Sequence, residues 1–324
     1  MKAQSYSVQD LFKFYGNMLL IRRFEEKCAQ LYRKGVIGGF CHLYIGQEAV
    51  AAGMREVTSP DNDSIITTYR DHAHMLMCGI DPKVIMAELA GKITGCSKGK
   101  GGSMHMFSRQ RRFYGGHGIV GASSSIGTGV AFSHQYKKDD GVCFCYFGDG
   151  ATNQGQVYES FNMASMWKLP IVYIIENNFY AMGTSVNRSH ANIDLYRRGE
   201  PFNVPGKAVD GMKIQEVIAA GCEAASHARS GKGPVILEMR TYRYLGHSMS
   251  DPATYRTKEE VEQVKSTRDP IEHVKNTIAK KQGLKESEIK DIESKVSNIV
   301  EGAADFALNS PTPQEKVLYE DVLI

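Results

Sequence analysis

The sequence predicts an α/β protein built on a doubly wound, mostly parallel sheet. Two apolar runs, 142–147 and 170–176, have the length and composition of buried strands. The residues between them, 153–167, are expected to form a helix, so the three segments make one βαβ unit. Polar residues follow both runs, with Gly148-Asp149-Gly150 after the first and Asn177-Asn178 after the second.

The other elements follow from capping residues and periodicity. Ser7 and Asp10 resemble a capping box at the start of a long helix, which Gly35 terminates. Thr257 begins a second capping box, and the chain after it is charged and helical to about Asn309. Further elements are helices over 46–57, from Asp81-Pro82 onward, over 122–137 and over 213–229, and a strand over 234–240.

Length and composition indicate a globular chain with one core. The 324 residues include 42% hydrophobic and 23% charged residues, which is typical of a globular protein. We predict a single domain over 1–324, with an N-terminal helical arm over about 1–35 and a helical C-terminal extension over about 257–324. The net charge of +3 is too small to indicate a nucleic-acid partner.

The sequence also bears on location. No window approaches 18 consecutive apolar residues, so no membrane span is predicted, and the first five residues lack a hydrophobic signal region. The seven cysteines are an odd number without CxxC or metal spacing, which favours free thiols in a reducing compartment. We expect a cytoplasmic bacterial protein, with an organelle matrix as the alternative.

A glycine-rich stretch over 91–121 is expected to wrap its backbone around a ligand, a surface loop being the alternative. It contains two sequences that resemble phosphate-binding motifs. The segment from Gly116 to Gly121 satisfies GxGxxG, but no strand is predicted before it, which argues against a dinucleotide site. The segment from Gly95 to Gly101 resembles a P-loop, but its Gly-Lys pair comes one position early and no Ser or Thr follows.

The residues after the two apolar strands predict a divalent-cation site. Parallel sheets bind ligands at the carboxyl ends of their strands, where Asp149 and Asn178 would meet. Their side-chain oxygens, with the main-chain carbonyl of Tyr180, are ligands that suit Mg²⁺ shared with a diphosphate. Gly148 and Gly150 would let the backbone approach that diphosphate closely. The alternative is that these residues only form turns.

These motifs resemble those of a known family. Twenty-six residues separate Gly150 from Asn177, and this spacing is similar to the thiamine diphosphate signature. The sequence resembles the alpha subunits of the thiamine diphosphate-dependent 2-oxo acid dehydrogenases over nearly its whole length. The segments that carry the resemblance are Gly148–Gly155, Glu176–Asn178, Phe40–Tyr44, Lys98–His105 and Tyr242–Tyr244.

The resemblance implies a thiamine diphosphate cofactor with Mg²⁺ and assigns residues to its diphosphate end. The implied metal ligands are Asp149, Asn178 and the Tyr180 carbonyl. The implied contacts to the diphosphate are Tyr69, Arg70, Gly148, Gly150 and Ala151. Because a guanidinium group grips phosphate in a bidentate manner, Arg70 suits this place.

The resemblance also assigns residues to the ring end of the cofactor and to the substrate. Gly118 and Val120 would contact the aminopyrimidine ring, and Met182 would be an apolar wedge that keeps the cofactor bent. His42 and His247 would line the substrate channel as catalytic residues, with His247 also near the cofactor. Without the family, His247 would pass as an exposed loop histidine. In some members the position of Ser248 is phosphorylated.

The implied activity is oxidative decarboxylation of a 2-oxo acid, with pyruvate as the expected substrate. The acyl unit would pass to the lipoyl group of dihydrolipoyl acetyltransferase. The family activates the cofactor ring with a glutamate, and no good candidate is present, since Glu48 lies in a helix start. The resemblance implies that a beta subunit supplies it in an α₂β₂ tetramer. The alternatives are a branched-chain 2-oxo acid or acetoin dehydrogenase subunit, and a non-catalytic metal- or nucleotide-binding module.

One segment departs from the family pattern. Members usually carry Gly-Ala-Gln-Val-Pro where this chain has Gly121-Ala122-Ser123-Ser124-Ser125. Because the segment is expected beside the site, the departure leaves the fine detail of substrate contacts open, while the metal chemistry is not affected.

Overall fold

The computed structural model describes residues 6–282 and 286–322. Its main sheet has the strands β1 (Ser64–Thr68), β2 (Phe113–His117), β3 (Cys143–Gly148), β4 (Ile171–Asn177), β7 (Gly206–Asp210) and β8 (Val235–Arg240). A separate antiparallel pair consists of β5 (Tyr180–Ala181) and β6 (Thr184–Ser185). The strand order of the main sheet is β2-β1-β3-β4-β8-β7, and every neighbouring pair runs parallel. The predicted parallel α/β fold is confirmed.

The helices cover both faces of this sheet. They are α1 (Val8–Arg33), α2 (Glu48–Arg55), α3 (His72–Met77), α4 (Pro82–Leu89), α5 (Ala122–Lys137), α6 (Gly155–Met166), α7 (Val186–Ser189), α8 (Ile214–His227), α9 (Lys258–Arg268), α10 (Pro270–Gln282) and α11 (Glu286–Asn309). Both bonds of the predicted capping box are present at the start of α1. The predictions for 1–5, 283–285 and 323–324 lie outside the described residues. Within the described ranges, no helix combines the length and apolarity needed to cross a membrane.

The position of β3 inside the sheet explains why its apolar residues do not alternate with polar ones. Cys143, Cys145 and Phe147 pack in one core with residues of α5 and α6. Phe144 and Tyr146 pack in a second core on the opposite face, with residues of α1 and α2. Because both faces of a parallel sheet are covered, each position of a central strand is apolar. All seven cysteines are free thiols, as predicted.

Strands β1, β2 and β7 are not predicted as elements by the sequence, and β2 and β7 form the edges of the sheet. Glycine weakens the strand signal in β2 and at the start of β7. The prediction that no strand precedes the GxGxxG segment is wrong, since β2 ends at His117 and α5 begins at Ala122. Gly116 lies inside β2, where a Cβ atom would stand 2.1 Å from Asp71 Oδ2, so this glycine permits close packing.

The carboxyl ends of the strands bring the predicted polar residues to one edge. Tyr69 and Arg70 follow β1, Asp149 follows β3, and Asn178 follows β4. The register pairs Gly148 with Glu176, so Asp149 and Asn178 leave neighbouring strands almost together. β1 and β3 are adjacent strands. From β1 the chain continues to β2 in one direction along the sheet, and from β3 it continues to β4 in the other direction. Such a switch point opens a crevice that parallel α/β proteins use for ligands.

Candidate active site

A cavity of about 750 Å³ lies at this strand-end edge. Every site residue predicted from the sequence lines it except Gly118. These lining residues are His42, Tyr69, Arg70, Val120, Gly148, Asp149, Gly150, Ala151, Asn178, Tyr180, Met182 and His247. Gly118 lies beside it, where a Cβ atom would stand 3.2 Å from His105 Nε2 and 3.3 Å from the side chain of Met104, a lining residue.

Two of the three predicted metal-ligand oxygens already bind one positively charged group. The Nη1 atom of Arg243 donates hydrogen bonds to Asn178 Oδ1 at 3.1 Å and to the Tyr180 carbonyl at 3.2 Å. The amide of Asn178 is oriented from its other side, because its Nδ2 donates to Gln47 Oε1 at 3.1 Å. Both oxygens therefore converge on a position that a cationic nitrogen occupies.

The third predicted ligand, Asp149, is buried and has one carboxylate oxygen, Oδ2, without a hydrogen-bond partner. Burial raises the pKa of this carboxyl to about 6, although the guanidinium of Arg243 opposes the rise. An unpaired buried carboxylate oxygen is costly unless a cation accompanies it. With the oxygens of Asn178 and Tyr180, this donor set fits a hard divalent cation.

The same edge suits an anion as well as a cation. Arg70 is buried, and its Nη2 donates to the His247 carbonyl at 2.7 Å, while Nη1 bonds the Leu43 carbonyl. Burial and the neighbouring Arg243 lower the pKa of Arg70 to about 10. Two guanidinium groups therefore share a poorly solvated region. Gly150 lets the backbone pass tightly here, since a Cβ atom would stand 2.5 Å from Ala181 Cβ.

The two predicted catalytic histidines lie together with Tyr69. The ring centroids of His42 and His247 are 5.2 Å apart, and that of His42 is 4.5 Å from the Tyr69 ring. His247 Nε2 is 3.3 Å from the Tyr69 hydroxyl. The Nδ1 atoms of both histidines are buried and have no hydrogen-bond partner. Burial and the charge of Arg70 lower the pKa of His42 to about 2 and that of His247 to about 3.

We expect neither His42 nor His247 to titrate between about pH 5 and 8 in the cofactor-free protein. An unfolded histidine titrates near pH 6.5, so below that pH the unfolded chain binds more protons than the folded one. Stability from these residues is therefore fully present above about pH 6.5 and is lost as the pH falls toward their folded pKa values. Histidine ¹³C NMR checks this, with His42→Gln and His247→Gln for assignment. A midpoint above about pH 5 for either ring would contradict the prediction.

The loop that carries His247 is ordered by its own contacts. The backbone N–H of His247 donates to Asp251 Oδ2 at 2.6 Å, and the Tyr255 hydroxyl donates to the same oxygen at 3.0 Å. The Met249 N–H donates to the Cys41 carbonyl at 2.8 Å. His247 itself lines the cavity and is half-buried, so the alternative of an exposed loop histidine is wrong. Ser248 lies at the rim, with its Oγ 2.9 Å from Ser250 Oγ.

The remaining predicted contacts stand on the open side of the cavity. Met182 is 65% exposed and has a positive φ of 51°, and Val120 is 40% exposed. A left-handed backbone is strained in a residue other than glycine, and such strain is often found at ligand sites. Exposed apolar side chains of this size beside a cavity provide a surface against which a further apolar group can pack.

The cavity has further lining residues that the sequence does not single out, and three of them, Arg243, Gln47 and Glu176, contribute charged or hydrogen-bonding groups. Arg243 lies three residues after the strand β8, within the Tyr242–Tyr244 segment that carries the family resemblance, and the resemblance assigns it no role. Gln47, which orients Asn178, and Glu176, at the end of β4, also line the cavity. The available signal is their position, since Arg243 follows β8, Glu176 lies near the end of β4 and Gln47 directly precedes α2. Glu48, by contrast, is fully buried, pairs with Arg22 and does not line the cavity.

The segment that departs from the family pattern, 121–125, does not line the cavity. Ser123 Oγ donates to the Tyr146 carbonyl at 3.0 Å, and Ser124 Oγ donates to the Gly121 carbonyl at 2.7 Å. Both side chains are buried, while Ser125 is exposed. The two buried hydroxyls therefore join α5 to β3 and to its own first turn.

The fold is that of a parallel α/β protein with a cavity at a sheet switch point, where a buried carboxylate, two neutral oxygens and two guanidinium groups meet. A model of the family described as the dehydrogenase E1 component matches residues 16–316, and the chain belongs to that family.

Comparison with individual proteins agrees with this family. The chain is 59% identical to the pyruvate dehydrogenase E1 component subunit alpha of Rhizobium meliloti, over 98% of this chain and 91% of that protein. It is 53% identical to the protein of the same name from Zymomonas mobilis, over 98% of this chain and 89% of that protein. A mitochondrial subunit from Dictyostelium discoideum is 52% identical, over 97% of this chain and 82% of that protein.

Proposed function

We propose that this chain is the alpha subunit of a pyruvate dehydrogenase and binds the diphosphate end of thiamine diphosphate with Mg²⁺. The observation that carries the proposal is the unpaired Asp149 oxygen beside the Asn178 and Tyr180 oxygens at the switch point. Each relative named above is called a pyruvate dehydrogenase subunit, which favours pyruvate over branched-chain 2-oxo acids and acetoin.

In this proposal, Asp149, Asn178 and the Tyr180 carbonyl hold Mg²⁺. Arg243 now donates to the two neutral oxygens, so it must withdraw when the cation enters. A diphosphate offers this guanidinium a new partner, because planar guanidinium groups bind phosphate oxygens well. The N–H groups of Gly150 and Ala151 would contact the same anion. Tyr69 and Arg70, which follow β1, would contact it from the other side.

The residues toward the open side handle the ring and the substrate. Thiamine diphosphate, when bound, supplies the electron sink that decarboxylation of a 2-oxo acid requires. Gly118 and Val120 would contact the aminopyrimidine ring, and Met182 would support its bent shape. His42 and His247 are neutral before an anion binds, so each can accept or donate a proton at its free Nδ1. Bound anions would offset the charge of Arg70 and raise both pKa values toward neutrality.

The site is proposed to be completed by a beta subunit in an α₂β₂ assembly. The exposed Met182 and Val120 leave an apolar rim for it, and Glu176, the cavity glutamate, is engaged by Tyr44 and His74. The acetyl product would then pass to the lipoyl group of dihydrolipoyl acetyltransferase. The cytoplasmic location stays a prediction from the sequence.

Reconstitution tests this function. Purified alpha chain is mixed with the beta chain of the same organism, and acetyl transfer to a lipoyl domain is measured with pyruvate, 3-methyl-2-oxobutanoate and acetoin. We expect pyruvate to react fastest and the alpha chain alone to be inactive. Faster reaction of another substrate, or full activity without the beta chain, would contradict the proposal. Failure to bind thiamine diphosphate with the beta chain present would favour a non-catalytic binding module.

A further inference from the structure

The carboxylate of Glu88 lies at the centre of the glycine-rich stretch. Glu88 occupies the last turn of α4 and is fully buried. Lys98 and Lys100 of the adjacent loop pair with residues near the C-terminus, Glu320 and Asp321, rather than with Glu88. The buried carboxylate therefore depends on other donors.

Four backbone N–H groups supply those donors. Glu88 Oε2 accepts from Ser97 at 2.7 Å and from Gly99 at 2.9 Å. Oε1 accepts from Gly101 at 2.7 Å and from Gly102 at 3.1 Å. These N–H groups, from residues within one short loop, point into one concavity and resemble the nests of backbone N–H groups that bind anions. This loop resembles a P-loop in sequence, and it encloses a carboxylate of its own chain.

Glycine is required for the backbone to close around this carboxylate. A Cβ atom at Gly95 would stand 2.3 Å from Glu88 Oε2, and one at Gly101 would stand 2.1 Å from the His105 carbonyl. Gly99 has a positive φ of 77° and packs against Gly91. The glycine-rich backbone is predicted to wrap around a ligand. In this part of the stretch, the group it surrounds is a carboxylate of the same chain.

The other end of the same loop reaches the strand-end cavity. Ser103 Oγ accepts from the His42 N–H at 3.3 Å and lies 2.8 Å from His72 Nε2. Met104 lines the cavity. The Met106 N–H donates to Asp71 Oδ2 at 3.3 Å, next to Arg70. The loop thus runs from the Glu88 nest to the backbone of a predicted catalytic residue.

We propose that Glu88 is a positioning residue, whose carboxylate acts as a built-in anion that folds residues 95–106 (the glycine loop). Through Ser103 and Met104, the folded loop sets the position of His42 and one wall of the cavity. The proposal deepens the proposed function, on which its activity measurement rests. It also means that the nest accepts a small free carboxylate when the Glu88 carboxylate is removed.

The test uses Glu88→Ala in the reconstituted enzyme, with Glu262→Ala, an exposed position of α9, as the control. Removing the side chain beyond Cβ leaves four N–H donors facing a space about the size of acetate. We expect hydrogen exchange of the glycine-loop amides to rise roughly tenfold or more, with a similar loss of kcat for pyruvate, because charge-assisted hydrogen bonds are lost. The control should match the unaltered enzyme in both measurements.

Added formate or acetate should restore both exchange protection and kcat in Glu88→Ala. Pivalate, which is too large for the space, and chloride at equal ionic strength should restore neither. General loosening of the fold would not respond to the size of the carboxylate. Unchanged exchange in the glycine loop, loosened exchange with normal kcat, or equal effects of all four anions would each overturn the proposal.

A second variant keeps the proposal testable if Glu88→Ala does not fold. Glu88→Gln retains the shape but presents an NH₂ group to N–H donors, so it should raise exchange within the glycine loop and lower kcat. Protected amides and normal kcat in this variant would refute the positioning role. If the unaltered enzyme does not use pyruvate, the proposed function fails, whereas exchange and its restoration by formate still report on Glu88.

Discussion

Replacing Asp149 by alanine is expected to abolish Mg²⁺-dependent binding of thiamine diphosphate. Asp149 supplies the only carboxylate among the three proposed ligand groups, and its buried Oδ2 has no other partner in the described structure. Loss of this ligand should weaken binding by at least about 100-fold, since even residues that only orient metal ligands contribute 10- to 100-fold. Titration calorimetry of the reconstituted enzyme with thiamine diphosphate and Mg²⁺ measures this.

The same variant should keep its stability when no cofactor is present. Burial raises the pKa of Asp149 to about 6, so its charged form is unfavourable in the folded, cofactor-free chain. The melting temperature without cofactor should therefore not fall, and Asp305→Ala, at an exposed position of α11, serves as the control. Unchanged cofactor affinity, or lost affinity together with a large drop in melting temperature, would contradict a role as metal ligand.

Replacing Arg243 by methionine should weaken binding of the diphosphate without weakening binding of the cation. Arg243 is fully buried, and its Nη1 now bonds the Asn178 and Tyr180 oxygens, while Nη2 bonds the Tyr255 hydroxyl at 3.0 Å. Its removal takes a cation away from the proposed phosphates and frees two metal-ligand oxygens. We expect affinity for thiamine diphosphate at saturating Mg²⁺ to fall by about 100-fold, on the scale of a buried charge-assisted contact.

Affinity for Mg²⁺ alone should stay the same or increase in this variant, because the competing guanidinium is gone. Calorimetric titration with Mg²⁺ alone, and then with thiamine diphosphate, separates the two effects. Arg33→Met, at an exposed position near the end of α1, is the matched control, and Arg243→Lys should recover part of the diphosphate affinity. An equal loss of affinity for Mg²⁺ and for thiamine diphosphate would show that Arg243 acts only by holding together the segments that carry Asn178, Tyr180 and Tyr255.

The parts of the site that could be predicted from the sequence belong to the central strands. β3 and β4 are buried on both faces, so the sequence of each is a continuous apolar run followed by polar residues. Parallel pairing then forces Asp149 and Asn178 to one edge, whatever the rest of the chain does. The family resemblance added His42, Tyr69, Arg70 and His247, residues whose local sequence has no comparable signal.

Other parts could not be predicted because they depend on contacts distant in the sequence. The edge strand β2 is short and contains glycine, so its presence follows from pairing with β1 and from the close approach of Gly116 to Asp71. Arg243 and Gln47 reach Asn178 from elements 65 and 131 residues away. Such residues are recognised only when the fold places them together.

The sequence by itself determined the fold class, the βαβ unit and the pair Asp149 and Asn178, because these follow from local apolar runs and the turns that end them. Tertiary structure alone decided which charges meet that pair. It placed Arg243 on the metal-ligand oxygens, left Asp149 Oδ2 unpaired, and filled the glycine-rich nest with Glu88. Burial and charge neighbours are sums over the whole fold, and no local pattern of residues encodes them.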